Sequence, residues 1–139
     1  MGLILDTSVL IAAEKGRLDI QQLFAAHEGE PFYIAAITAA ELLHGVARAQ
    51  PSARRRQRSL YVEGVLSQLE PIEFDLSVAR RHAEAWAALG KKGGMIGPYD
   101  LLIAATALHH GHSVVTLNLG EFRRVPGLRV VDPTQFVSA

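Results

Sequence analysis

The chain of 139 residues contains no cysteine. Disulfides, thiolate zinc sites and a cysteine nucleophile are therefore excluded, and a reducing compartment suits the composition. Neither sign of charge prevails: 14 basic residues stand against 14 acidic ones, for a net charge of zero. The chain as a whole thus has no electrostatic pull on nucleic acid, and only a local patch could supply one. No apolar run approaches the ~20 residues of a membrane span. The opening MGLILD has no basic segment and meets Asp6 at once, so it does not read as a signal peptide. It also lacks the hydroxyl residue at position 6 that a myristoylation motif requires. Absent too are the P-loop, G-x-G-x-x-G, G-x-S-x-G and H-E-x-x-H patterns. What remains is a chain 49% hydrophobic and 20% charged, which reads as one globular, cytoplasmic domain over 1–139.

Short apolar runs alternate with longer helical patterns. Residues 2–5, 33–36, 71–74, 113–117 and 129–131 read as strands, and helices are expected over about 7–14, 17–27, 38–49, 53–69 and 98–110. Ser52 is the expected cap of the fourth of these helices. A further helix starts at Asp75 or Ser77 and carries an apolar stripe of Leu76, Ala79, Ala83, Trp86 and Leu89. The glycine-rich stretch GKKGGMIG at 90–97 reads as a mobile loop. Pro98 suits the first turn of the next helix and Gly111 its C-cap. Strands separated by helices imply an α/β fold with a parallel sheet covered on both faces.

Four acids each stand at an expected helix start: Asp6, Glu41, Asp100 and Glu121. Three of them lie in apolar text without Lys or Arg, in LILDTSVLI, AAITAAELL and GPYDLLIAAT. A carboxylate buried without a partner is costly, and a cluster of them calls for a cation, the hard ions Mg²⁺ or Mn²⁺ above all. In a parallel α/β sheet such helix starts converge at the C-terminal strand edge, where open sheets place their sites. Each acid has a plain alternative. Asp6 could be an N-cap; Thr38 with Glu41, and Asn118 with Glu121, have capping-box spacing; Asp100 suits the positive end of its helix. Capping alone does not select acids at every one of these ends, since Ser, Thr and Asn cap as well and bury more easily.

Other polar residues are less specific. His109, His110 and His112 surround a helix C-terminus, where the dipole accounts for them. His44 lies one turn after Glu41 and either borders the site or is a half-buried core residue. Arg54, Arg55, Arg56 and Arg58 form the one dense basic run, read as a solvated helix face or as a contact for phosphate or an acidic partner. Lys91 and Lys92 offer the same choice within the glycine loop.

Four stretches, LILDTSVLI, ITAAELLHG, YDLLIAATAL and TLNLGEFRRVPGLRVVDP, occur in an order that resembles the PIN-domain ribonucleases, most closely the VapC-type toxins of bacterial toxin–antitoxin pairs. The resemblance spans the chain. It implies a three-layer α/β/α sandwich with a central parallel sheet, Mg²⁺ or Mn²⁺ at the acids, and endonucleolytic cleavage of RNA. It also implies a homodimer and a protein antitoxin whose C-terminal segment covers the site. By position, Asp6, Glu41 and Asp100 match the regular family acids. The fourth place falls to Glu121, with Asn118 as a neutral ligand or orienting group. Thr7, Thr38 and Thr116 fall where the family keeps small hydroxyls. The mechanism that follows is hydrolysis by a metal-activated water, with no side-chain nucleophile. Three other readings compete: a PIN-scaffold nuclease of RNA processing outside a toxin–antitoxin pair, a non-catalytic binding module on the same scaffold, and a receiver-like phosphoacceptor domain using Asp6, Asp75 and Thr116. Against the last, Asp6 is followed by Thr7 rather than a second acid, and 125–139 holds no lysine.

Overall fold

The computed structural model describes residues 1–138; of the domain expected over 1–139, residue 139 lies outside that range. In chain order the elements are β1 (Leu3–Leu5), α1 (Thr7–Glu14), α2 (Ile20–Ala26), β2 (Phe32–Ala35), α3 (Ala36–Ala47), α4 (Ser52–Gln68), β3 (Pro71–Ile72), α5 (Leu76–Lys92), α6 (Pro98–His110), β4 (Ser113–Val115), α7 (Leu119–Phe122) and β5 (Val130–Val131). All strand pairs are parallel and the order is β3-β2-β1-β4-β5. Successive side chains of a strand point to opposite faces, and the two cores follow that alternation. Ile4 and Val114 join a cluster with Leu89, Ile103 and Phe122 from α5–α7. Leu3, Leu5 and Val115 join the other, with Val9, Leu10, Leu42 and Val62 from α1, α3 and α4. The three-layer α/β/α sandwich is thus present, with its parallel sheet buried on both sides.

The chain leaves β1 toward β2 on one side, while β4 pairs with β1 on the other. The strand order therefore reverses between β1 and β4, and the crevice at their C-terminal ends is the topological switch point of the fold. Gly2 fixes the opposite end of β1. A Cβ there would stand 2.8 Å from the Tyr33 ring and 2.9 Å from the Pro31 carbonyl, closer than real contacts allow.

Several local expectations change. The strands are shorter than the apolar runs, and the edge strands β3 and β5 keep only two residues each. Ser52 lies inside α4, whose N-cap is Pro51 with no side-chain cap bond. The GKKGGMIG stretch is not all loop. Helix α5 continues through Gly90, Lys91 and Lys92, and stops only where Gly93 takes φ 66° and the Gly94 N–H reaches back to the Leu89 carbonyl. The apolar stripe expected on α5 is rotated. Val78, Ala85 and Leu89 are buried, while Leu76 and Trp86 are 67% and 56% exposed. α5 lies along α6, and at the buried positions the small Ala85 allows the approach that an indole would block.

Phe122 is fully buried and anchors the four-residue α7, which also carries Glu121. Phe122→Ala should lower the free energy of unfolding by about 3–5 kcal/mol, read from urea denaturation. A loss below about 1 kcal/mol would show that α7 is not pinned to the core.

Candidate active site

Asp6 follows β1 directly and is 3% exposed. It occupies the N-cap position of α1, yet its side chain makes no cap bond. Its Oδ2 instead accepts from the Ser8 hydroxyl at 2.6 Å and the Thr116 hydroxyl at 2.8 Å. Glu41 is not at a helix start, because α3 begins at Ala36, directly after β2. The capping box of Thr38 and Glu41 does not form. Thr38 is buried within the helix, and Thr7 Oγ1 donates to Glu41 Oε1 at 2.7 Å while lying 3.1 Å from Thr38 Oγ1. Asp100 stands in the first turn of α6, and its Oδ2 accepts from the Asn118 amide at 2.8 Å. That amide also donates to Glu121 Oε2, while Glu121 Oε1 accepts from the Gly97 N–H at 2.9 Å. The second capping box is absent too, since the Asn118 N–H donates to Thr116 Oγ1.

Asp19 and Asp75 show what a capping acid does in this molecule. Both are exposed, and both accept backbone N–H groups at the start of α2 and α5. None of the four candidate acids caps its helix in that way. The carboxylates of Asp6, Glu41 and Asp100 each have one oxygen held by a hydroxyl or amide. The ion pairs among the described residues, His27–Glu30, Arg58–Glu14 and Arg81–Glu84, involve none of the four. Residues 3–128 match the family model described as PIN domain.

The chain belongs to the PIN-domain family. It is 39% identical over 131 residues to ribonuclease VapC1 of Rickettsia felis, covering 94% of this chain and 96% of that one. It is 36% identical over 130 residues to the tRNA(fMet)-specific endonuclease VapC of Salmonella typhimurium, covering 93% and 96%. The crystal structure of VapBC2 from Rickettsia felis, bound to a DNA fragment from its promoter, superposes with a TM-score of 0.86 at 30% identity, covering 95% of this chain and 98% of that one. VapC nucleases of the PIN-domain family depend in general on a divalent metal.

The donor set of this PIN domain fits such an ion: clustered carboxylate oxygens, no thiolate and no paired cation. Among the described residues, no three Asp, Glu or His side chains already stand in a coordinating arrangement. A small hard ion that keeps several waters and takes one or two carboxylates plus a substrate phosphate does not require one. Two residues that the sequence reading missed belong to the cluster. Ser8 braces Asp6 and accepts from the Leu117 N–H at 3.2 Å; its signal was a second hydroxyl in the DTS triplet. Arg124 donates to the Met95 carbonyl and its charge reaches Glu121; its signal was a basic residue one turn after an acid.

The remaining candidates divide. Arg55 is tied to the Ala47 and Ala49 carbonyls and Arg58 to Glu14, so half of the basic run serves packing within α3 and α4 and against α1. Arg54 and Arg56 are exposed. Glu14 closes α1, whose eight residues put the run about 12 Å from Asp6 along the helix. Lys91 and Lys92 end α5, beside the segment that leads to Gly97. His44 is exposed rather than half-buried. His112 accepts the Gly2 N–H and stacks on Tyr33 at 4.9 Å, at the far end of the sheet. Asp75 lies at that far end as well, in a concavity shared with His110 and His112. The receiver-like set of Asp6, Asp75 and Thr116 therefore never assembles.

Burial, a hydrogen bond with Glu121 and the negative charges of Asp6 and Glu121 together push Asp100 up to about 7. Glu121 moves the other way, because it accepts from Asp100, Asn118 and the Gly97 N–H. The pair shares one proton, held on Asp100. With Asp100 raised in the folded state, the metal-free protein binds a proton between pH ~4 and ~7 that the unfolded chain has lost. That stabilisation is complete below the unfolded pKa and fades as pH rises through about 7. Melting temperatures in chelator should therefore fall from pH 5 to pH 8, and Asp100→Asn should flatten the decline. An identical slope in the variant would place the proton elsewhere.

Proposed function

We propose that this chain is the toxin of a toxin–antitoxin pair: an endoribonuclease that hydrolyses RNA phosphodiester bonds with Mg²⁺ or Mn²⁺. It acts as one PIN-like domain, in the cytoplasm, as a homodimer, and is silenced by a cognate protein antitoxin that covers the acids. The observation that carries the reading is the cluster of Asp6, Glu41, Asp100 and Glu121 at the sheet's switch point, none capping a helix and none in an ion pair among the described residues. The VapC names of the relatives and the VapBC complexes among similar structures support the partner class.

In this reading Asp6, Asp100, Glu41 and Glu121 hold the ion, which when bound lowers the pKa of a water and offsets charge on the phosphate. The chain's own residues do the positioning. Ser8 and Thr116 fix one oxygen of Asp6, which presents the other. Thr7 aims Glu41 in the same manner. Asn118, a neutral donor to both Asp100 and Glu121, keeps the two carboxylates together without neutralising either. Arg124, Lys91 and Lys92 attract the RNA backbone, and Arg54 and Arg56 supply a second basic contact for RNA or antitoxin.

Asp6→Asn and Asp100→Asn should each abolish cleavage, by more than about 100-fold, without loss of fold. Thr116→Val, which removes only an orienting hydroxyl, should cost about 10–100-fold. Transfer RNA is the first substrate to try, given the name of the Salmonella relative. Near wild-type cleavage by either Asn variant in Mg²⁺ would sink the mechanism. Mn²⁺ and Mg²⁺ should also each raise the melting temperature, more at pH 8 than at pH 5.5, because protons compete with the ion for the carboxylates. A melting temperature indifferent to both ions would count against the metal site.

A further inference from the structure

We propose that the concavity between α5 and the first turn of α6 is a nucleobase pocket, which takes one unpaired base of the RNA beside the scissile phosphate. The inference rests on the ribonuclease reading above. The pocket, of about 370 Å³, is lined by His82 and Trp86 of α5, Met95 and Ile96 of the connecting segment, and Pro98 and Tyr99 of α6. Its aromatic rings are not spent on the core: Trp86 is 56% and Tyr99 54% exposed. Trp86 ends a row of rings that starts just before α5, with Phe74 and His82 at 5.7 Å and His82 and Trp86 at 5.5 Å between ring centres.

The pocket shares a wall with the acids. Tyr99 immediately precedes Asp100, and Ile96 and Pro98 flank the Gly97 whose N–H holds Glu121. A nucleotide whose phosphate lies at the carboxylates thus has a neighbouring base within reach of these rings. The charge around the mouth matches a nucleic-acid backbone. Lys91 and Lys92 lie further along α5, and Arg124 is bonded to the Met95 carbonyl in the pocket wall. Single-stranded RNA is recognised by stacking unpaired bases on aromatic side chains, with polar tips left to read the base edge. The Tyr99 hydroxyl, the Trp86 indole N–H and His82 are such tips. A second copy of the chain is the competing occupant. Against it, the mouth is bordered by the cationic Lys91, Lys92 and Arg124, which suit a phosphate backbone better than a like-charged copy of the same face.

The test uses a short single-stranded RNA spanning a bond that the wild type cuts in Mg²⁺, with abasic nucleotides placed singly on either side of that bond. One flanking abasic position should raise KM by about tenfold or more, with a much smaller change in kcat. Trp86→Ala and Tyr99→Ala should raise KM on the intact RNA by a similar factor and add nothing on the abasic one, and Trp86→Phe should recover most of the loss. All three variants should sediment as the wild type does. Penalties that add between variant and abasic RNA, or no sensitivity to any abasic position, would overturn the pocket alone. A change of sedimentation in Trp86→Ala would assign the face to contact between copies instead. A wild type that cuts no RNA would overturn the ribonuclease reading, and the pocket with it.

Discussion

Carboxylates crowded at the mouth of a parallel sheet raise the cost of ionising one another, and here the burden falls on Asp100, pushed up to about 7 by burial first and by its acidic neighbours. The rest of the site is arranged around this tension. Among the described residues no lysine or arginine forms an ion pair with these acids, although Arg124 is close enough to bias Glu121 and the chain carries as many bases as acids. Instead the acids are braced by neutral donors: Ser8, Thr7, Thr116 and Asn118. A neutral donor fixes a carboxylate in space and leaves its charge intact, whereas an ion pair would consume the charge that a metal needs. The cluster is a set of pre-aimed negative charges, the donor arrangement that the proposed divalent ion would need.

The fold supplies that arrangement through connectivity rather than through any one element. Asp6 leaves β1, Thr116 and Asn118 leave β4, Glu41 sits in the helix that leaves β2, and Asp100 opens the helix that returns to β4. Each is delivered to the same strand edge because the sheet is parallel and every crossover begins there. Two bonds of the site join the ends of β1 and β4, the pair where the strand order reverses: Thr116 to Asp6 and Leu117 to Ser8. A register slip between those two strands would move the Thr116 hydroxyl off Asp6 and the Leu117 N–H off Ser8. Being central in the sheet, β1 and the end of β4 next to the site are buried, while the edge strands are only partly so.

Much of this was legible in the sequence, for identifiable reasons. Helices α1 and α6 have the bounds that their apolar text, Pro98 and Gly111 imply, because their start and stop signals are local. The acids stood out because charge in apolar text has few explanations. What was not legible depended on non-local partners. Thr38 and Glu41 have capping-box spacing, but α3 starts two residues earlier, at the end of β2, and Thr7 from another helix claims Glu41. The glycine loop was overextended because Gly90 tolerates helix and only Gly93 needs a left-handed backbone. Ser8 was overlooked because its role lies in a bond to Asp6 two residues before it and to Leu117 across the sheet.

The misreading of α5 carries the most information. Periodicity placed Trp86 with Leu89 on one buried stripe, and periodicity is a sound guide where burial is the only demand on an apolar side chain. Here the helix turns Val78, Ala85 and Leu89 inward and leaves the indole beside Tyr99 in water. An exposed tryptophan next to an exposed tyrosine is a cost in a folded chain, since both could bury large apolar area elsewhere. Such a cost persists where a partner recovers it. The acids and their hydroxyl braces can explain how a phosphodiester is cut, yet every RNA offers the same phosphodiester. In the proposed ribonuclease reading, choice among RNAs comes from surfaces that meet bases, and Tyr99, the residue before Asp100, lines the α5–α6 cleft with Trp86.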